Sequence, residues 1–115
     1  MDAEQIARND AIFREANERI ERAAEKFAGP DLVPFICECA EPRCRDVIRL
    51  PLAEYERIRE HSTWFVVAPG HEAVAGKAAE VVESKDGYHV VEKVGRAAEV
   101  AAELDPRPEL DPRPG

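Results

Sequence analysis

The cysteines of this chain restrict its fold more than any other feature, because all three fall in one short segment. Cys37, Cys39 and Cys44 follow a C-x-C-x4-C spacing. In an extended backbone, alternate side chains point to the same face, so Cys37 and Cys39 should lie side by side. The Glu-Pro-Arg sequence of residues 41–43 favours a turn that brings Cys44 back towards them. Converging sulfurs are typical of a metal site, and we call residues 37–44 the cysteine clip.

A closed tetrahedral zinc site needs a fourth ligand, and histidine commonly accompanies cysteine in such sites. The chain has three histidines, His61, His71 and His89. His71 follows a Pro-Gly pair whose flexible backbone can approach a metal closely, so it is the best placed of the three. His89 lies within a predicted strand and should be a surface position. His61 remains an alternative ligand, as do the carboxylates of Glu38, Glu41 and Asp46.

The cysteine clip also allows interpretations without a metal. Free cysteines are among the most buried residues, so all three could simply fill the core. Cys44 could form a disulfide with Cys37 or Cys39, but one thiol would then be left over. A disulfide between Cys37 and Cys39 would close a strained ring, which argues against a redox role.

Composition indicates one small domain and excludes some classes of partner. The chain has 115 residues, of which 35% are charged and only 6% are aromatic. The core should therefore be modest and aliphatic, and a metal crosslink would help to stabilise it. The net charge of −8 disfavours binding to nucleic acids and to anionic membranes. The polar start of the chain and the lack of a long apolar run predict a cytoplasmic protein, in which thiols stay reduced.

Residues 1–29 are predicted to form one amphipathic helix, from about residue 4 to residue 28. They are rich in Ala, Glu and Arg, and a Gly-Pro pair at 29–30 stops the helix. The apolar stripe is narrow, because Asn9, Asp10 and Asn17 interrupt it. The helix therefore either packs along its own domain or pairs with a second chain, in a homodimer or with another protein. The stripe consists of Ile6, Phe13, Ile20 and Phe27, spaced seven apart.

Residues 30–104 are predicted to form a zinc-binding α+β domain with a small, mainly antiparallel sheet. The turn in the cysteine clip and an Asp-Gly turn at 86–87, each flanked by strand-forming residues, indicate two hairpins. With the N-terminal helix, the whole chain is predicted to have an α+β fold. The expected strands are residues 32–39, 47–50, 63–67, 79–85 and 88–94, and the expected helices are residues 51–60 and 96–104.

Residues 105–115 are predicted to be a disordered, proline-rich tail. The sequence Leu-Asp-Pro-Arg-Pro occurs twice, at residues 104–108 and 110–114. Prolines lack an amide donor and favour extended conformations, so the repeat argues against a helix or strand. The tail should therefore contribute little to stability.

The expected ligand set favours a structural role over catalysis. Three thiolates and one imidazole would close the coordination sphere and leave no position for water. The chain has no G-x-S-x-G, Gly-rich phosphate loop or H-E-x-x-H motif. We therefore expect a non-enzymatic zinc protein, in which the metal stabilises a protein-interaction or dimerisation module. The alternative is a metal-dependent hydrolase with water on the zinc and Glu72 or Glu38 as the base.

Four segments of the chain resemble a family of small bacterial proteins of uncharacterised function. They are F-x-C-E-C-x4-C at residues 35–44, L-A-E-Y-E at 52–56, F-V-V-A-P-G-H-E at 65–72 and D-G-Y at 86–88. The resemblance covers about residues 6–99 and leaves out the repeated tail. It supplies no activity. It implies that the cysteine clip and the Pro-Gly-His motif form one zinc site, with the ligands Cys37, Cys39, Cys44 and His71.

Overall fold

The computed structural model of the protein describes residues 1–26 and 32–107. Within these residues the chain forms three α-helices, five β-strands and one 3-10 helix, which confirms the predicted α+β fold. None of these helices combines the length and the apolarity that a membrane span requires. In chain order the elements are α1 (Ala3–Glu25), β1 (Val33–Ile36), β2 (Val47–Leu50), α2 (Leu52–Arg59), β3 (Trp64–Val67), the 3-10 helix (His71–Ala78), β4 (Ala79–Lys85), β5 (Tyr88–Lys93) and α3 (Gly95–Glu103).

The strands form two small antiparallel sheets. β1 pairs with β2, and a second sheet has the order β3-β5-β4. The backbone amide of Glu38 donates to the carbonyl of Val66 at 2.8 Å, so the cysteine clip is tied to β3 of the second sheet. Phe35 and Tyr55 stack with ring centroids 4.1 Å apart, where the first sheet meets α2. This arrangement places the clip between the two sheets.

Helix α1 begins with a side-chain cap and ends close to the predicted position. The Asp2 carboxylate accepts a hydrogen bond from the backbone amide of Gln5 at 2.8 Å, which satisfies one of the free amides of the first turn. The helix extends to Glu25. Phe27 and the Gly-Pro stop predicted at 29–30 lie outside the described residues.

The buried face of α1 is largely polar, in contrast to the apolar stripe predicted from the sequence. Asn9, Asp10, Arg14 and Asn17 are all buried. Asn17 acts like a strand partner for Ile36: its amide nitrogen donates to the Ile36 carbonyl and its oxygen accepts from the Ile36 amide, both at 2.8 Å. The residues that interrupted the apolar stripe therefore help to attach α1 to its own domain, together with buried apolar residues such as Ile6 and Ala7.

Two cations lie against the same aromatic ring in the core. The Arg14 guanidinium is 4.4 Å and the Lys93 ammonium 5.0 Å from the centre of the Phe65 ring. Lys93 also forms a buried ion pair with Asp10 of α1. Arg14 donates to the carbonyls of Ser62 and Ala101, so a single side chain joins α1 to the ends of two other elements.

The stability of the protein should depend on the ionisation of Asp10. Burial raises the pKa of this carboxyl to about 7, against the attraction of Lys93. Between pH 4 and pH 7 the folded protein thus keeps a proton that the unfolded chain releases, so stability falls as pH rises through this range. In metal-free protein, where no pH-dependent metal binding contributes, we expect the free energy of unfolding to fall by about 1 kcal/mol between pH 6 and pH 8. In Asp10→Asn this decline should vanish in urea denaturation, whereas the loop variant Asp86→Asn should retain it. An unchanged decline in Asp10→Asn would contradict the assignment.

Two charged residues just after α3, Asp105 and Arg107, form ion pairs with the rest of the domain. Asp105 pairs with Arg59 of α2, and Arg107 pairs with Glu18 of α1 and Glu56 of α2. Both residues belong to the tail that was predicted from the sequence to be disordered, because a proline-rich repeat cannot bury apolar surface. Their charged partners lie on other parts of the domain and are not visible in the repeat itself. Residues 108–115 lie outside the described part of the chain.

Candidate metal centre

The cysteine clip continues the hairpin of β1 and β2. After the last strand pair, Ile36 with Val47, the amide of Cys37 donates to the carbonyl of Asp46 at 2.9 Å and adds one more rung. A turn follows, closed by a 3.0 Å hydrogen bond from the amide of Cys44 to the carbonyl of Glu41. Cys44 therefore returns towards Cys37, as the Glu-Pro-Arg sequence predicted.

His71 reaches the clip from the end of β3. Gly70 has a φ of 93°, in the left-handed region that suits glycine, and the amide of His71 donates to the carbonyl of Ala68 at 2.9 Å. This tight turn points the chain back over the clip, to which β3 is already tied. His71 then opens the 3-10 helix, an element that the sequence analysis left unassigned.

The four predicted ligands converge in the structure. The sulfurs of Cys37, Cys39 and Cys44 and one ring nitrogen of His71 all lie within 4.8 Å of one another. His71 Nδ1 is 3.5 Å from Cys37 Sγ and 3.5 Å from Cys44 Sγ. In a tetrahedral zinc site, the usual bond lengths place sulfur and nitrogen ligands about 3.6 Å apart. The spacing of the donors therefore fits one metal ion.

Burial favours the protonated form of the Cys37 and Cys39 thiols when no metal is bound. Cys37 and Cys39 are both buried, and this burial raises the pKa of each thiol. The amide of Ala68 donates to Cys37 Sγ at 3.2 Å, which acts in the opposite direction by favouring the thiolate. All three cysteines are free. A metal that binds here must displace protons from the thiols, so its affinity will rise with pH.

Asp46 fixes the ring of His71. Its Oδ2 lies 3.2 Å from His71 Nε2, on the far side of the ring from the cysteines. With the proton on Nε2 donated to this carboxylate, Nδ1 presents its lone pair to the sulfurs. Metal-binding histidines commonly donate their second nitrogen to a carboxylate in this way. Asp46, considered from the sequence as a ligand, is therefore placed as an outer partner of the candidate ligand His71.

The Asp46 carboxylate should strengthen metal binding. We expect Asp46→Asn to bind zinc about tenfold more weakly, because the neutral amide holds the His71 ring less firmly. A roughly tenfold loss is at the low end of what removal of a metal ligand's hydrogen-bonding partner usually costs, because the Asp46 side chain is more than half exposed. Competition with a chromophoric chelator measures the affinity. The variant Asp86→Asn removes the same charge in a distant turn and should bind zinc like the parent. Equal affinities for all three proteins would show that Asp46 has no part in the site.

The other candidate ligands are engaged elsewhere. His61 stacks on Trp64, with ring centroids 3.8 Å apart. His89 was predicted to be a surface residue of a hairpin; it is partly buried, and its Nδ1 lies 3.1 Å from the Glu72 carboxylate. Glu41 accepts a hydrogen bond from the amide of Arg43 within the turn. The structure therefore separates His71 from the alternatives that the sequence left open.

Glu38 points away from the sulfurs and into the core. Its carboxylate is fully buried and accepts hydrogen bonds from Asn17 Nδ2 at 2.9 Å, Tyr55 Oη at 2.9 Å and the amide of Val66 at 3.0 Å. Burial raises the pKa of Glu38, while these donors lower it. From the sequence, Glu38 was a possible ligand or base. The alternation of an extended strand could have shown its true position, because Cys37 and Cys39 face the other side.

A second group of close acids does not resemble a metal site. Carboxylate oxygens of Glu21, Glu25 and Glu56 lie within 4.8 Å of one another. Glu56 already accepts two hydrogen bonds from the Arg107 guanidinium. Clusters of acidic side chains on a helical surface are common, and this one carries no thiol or imidazole.

No protein-family model, curated protein or solved structure matches this chain. The case for a function therefore rests on the geometry of the four converging ligands.

Proposed function

We propose that this chain is a non-enzymatic zinc protein, in which one zinc ion bound by Cys37, Cys39, Cys44 and His71 stabilises the fold. The observation that carries this proposal is the convergence of four donor atoms within 4.8 Å. The clip belongs to the first sheet and His71 follows a strand of the second. A metal here would crosslink two parts of a small domain whose sequence is only 6% aromatic.

Zinc is the metal that this donor set favours. Thiolate sulfur prefers softer ions to magnesium or calcium, and three thiolates with one imidazole are a common structural zinc set. The proposal also assigns the protein to a reducing compartment such as the cytoplasm, where the thiols stay available for metal.

The surroundings of the ligands support a structural role over hydrolysis. Four protein donors complete a tetrahedron and leave no place for a reactive water. The two carboxylates considered as general bases are engaged elsewhere: Glu38 binds three donors in the core, and Glu72 binds the amide of Gly70 and His89. Neither is available to deprotonate water on the metal.

X-ray absorption at the zinc edge tests both halves of the proposal. Untagged protein should contain about one zinc per chain, bound by three sulfurs and one nitrogen at about 2.3 and 2.0 Å. A shell of three sulfurs and one oxygen would favour the hydrolase alternative instead. Protein that folds fully and contains no metal would refute zinc as a structural element.

The proposed interaction surface is the outward side of α1. The inward side is occupied by the chain's own domain, so a homodimer or another protein would have to use what remains. Ile12 is 65% exposed there, and Phe13 beside it is only partly buried. Light scattering on the zinc-loaded sample tests for a dimer, which Ile12→Lys should dissociate without loss of zinc. A monomeric parent would leave only a different protein as the partner.

A further inference from the structure

The residues that follow α3 occupy a charged site formed by α1 and α2. Its centre is Arg59, whose side chain is 0% exposed and forms an ion pair with Glu18. Arg59 Nη2 also donates to Asp105 Oδ1 at 2.5 Å. Glu56, one turn before Arg59, adds a carboxylate at the edge. We call Glu18, Glu56 and Arg59 the acceptor site.

Each charge of the docked segment meets an opposite charge in the acceptor site. Arg107 donates to Glu18 at 2.9 Å and, through two nitrogens, to both oxygens of Glu56 at 3.1 Å. A guanidinium that binds both oxygens of a carboxylate fixes direction as well as charge. Within the segment, the amide of Arg107 donates to the Asp105 carboxylate at 3.0 Å, so aspartate and arginine are held at a set spacing.

The acceptor site therefore distinguishes the order of the two charges. A buried guanidinium takes the aspartate, and the two glutamates take the arginine two residues later. Pro106 between them limits the backbone to a narrow range of conformations, which lowers the entropy lost on docking. An Asp-Pro-Arg segment fits this pattern, and an Arg-Pro-Asp segment would place each charge beside its like.

The chain contains this segment twice but has one acceptor site among its described residues. The five residues Leu-Asp-Pro-Arg-Pro at 104–108, which include the docked pair, are repeated at 110–114 after Glu109. Asp111 and Arg113 therefore carry the same charges in the same order and spacing as Asp105 and Arg107.

We propose that the acceptor site is a docking site for Asp-Pro-Arg segments, and that the second such segment of the same chain, residues 111–113, is its alternative occupant. A tethered segment has an effective concentration on the order of millimolar, which favours it over a segment of another molecule. If residues 111–113 replaced residues 105–107 in the acceptor site, only a short loop would separate α3 from the docked segment. Closing a short flexible loop costs little conformational entropy. Either copy of the segment can then occupy the acceptor site. This inference is independent of the metal.

Full-length chains with altered copies test the proposal. The first variant carries Asp105→Asn and Arg107→Gln, which neutralise copy one of the segment, residues 105–107. The second carries Asp111→Asn and Arg113→Gln, which neutralise copy two, residues 111–113. The third variant carries all four changes. The probe is a synthetic Leu-Asp-Pro-Arg-Pro peptide with blocked ends, and the control peptide is Leu-Arg-Pro-Asp-Pro. NMR titration measures the affinity of each chain for each peptide.

We expect the fully neutralised chain to bind the probe but not the control peptide. The parent and both single-copy chains should bind the probe at least about tenfold more weakly, because the remaining copy competes from the same chain. In the fully neutralised chain, Glu56→Gln should weaken binding of the probe, whereas Glu60→Gln at the end of the same helix should not.

Two results would overturn the proposal. If the fully neutralised chain binds both peptides equally, the site does not read charge order. If the chain with only copy one neutralised binds the probe as tightly as the chain with both copies neutralised, the second copy does not occupy the acceptor site. Should Asp105→Asn unfold the protein by depriving buried Arg59 of a partner, Arg107→Gln and Arg113→Gln, alone and combined, provide the same comparison.

Discussion

Replacing Cys39 with serine should abolish stoichiometric zinc binding and destabilise the whole domain. Serine oxygen is a poor zinc ligand at neutral pH, and two thiolates with one histidine cannot hold the ion as tightly. Because metal binding and folding are coupled, loss of the ion should lower the free energy of unfolding by at least about 3 kcal/mol. Urea denaturation and elemental analysis of the same sample measure both effects.

A metal-free parent separates loss of zinc from the loss of a buried sulfur. If the metal accounts for the effect, parent protein stripped by a chelator should be about as unstable as Cys39→Ser, and zinc should rescue the parent alone. His71→Ala should behave like Cys39→Ser, whereas His89→Ala, which alters a histidine outside the cluster, should keep its zinc. A stripped parent as stable as the zinc-loaded one would show that Cys39 acts only by packing.

The four candidate ligands, which lie close together in the structure, could be selected from the sequence because the signals that mark them are local. The C-x-C spacing places two sulfurs on one face of an extended strand, and the Glu-Pro-Arg turn returns the third. His71 was favoured for its Pro-Gly turn, and Gly70 does take the positive φ that the turn requires. What the sequence could not show is that a contact between the clip and β3 brings two distant segments together.

The inward face of α1 could not be predicted from the usual rule that apolar residues point inward. Asn9, Arg14 and Asn17 are buried because each has a carbonyl partner: Ala40 for Asn9, Ser62 and Ala101 for Arg14, and Ile36 for Asn17. These partners lie far along the chain, so no pattern within the helix reveals them. Phe13, expected at the centre of the stripe, is only partly buried.

The tail shows a similar limit of sequence patterns. Its prolines correctly argue against a helix or strand at Asp105–Arg107. They do not show whether such a segment is held in place, because the ion pairs depend on Glu18, Glu56 and Arg59 in two separate helices. The repeat can be interpreted only when the ion-pair partners of Asp105 and Arg107, in its first copy, are known.

Glu38→Ala should be as damaging as loss of a ligand, although Glu38 does not face the metal site. Its carboxylate joins α1, α2 and β3 through Asn17, Tyr55 and the amide of Val66. Alanine would leave the Tyr55 hydroxyl, the Val66 amide and one N–H of Asn17 without this acceptor in the buried interior, and it would open a cavity beside them. An unsatisfied buried donor typically costs about 1–3 kcal/mol and the cavity adds to this, so we expect a loss of about 3–5 kcal/mol.

The measurement must distinguish this effect from loss of zinc, because Cys37 and Cys39 flank the residue. Urea denaturation of metal-stripped proteins does so: Glu38→Ala should be less stable than the stripped parent, whereas Cys39→Ser should equal it. Glu41→Ala removes an exposed carboxylate of the same clip and should change stability little. Glu38→Gln should fall between parent and alanine, since its amide oxygen can still accept but its NH₂ group faces donors. If stripped Glu38→Ala matches the stripped parent, the buried network contributes nothing to folding, and the residue matters only for the shape of the clip.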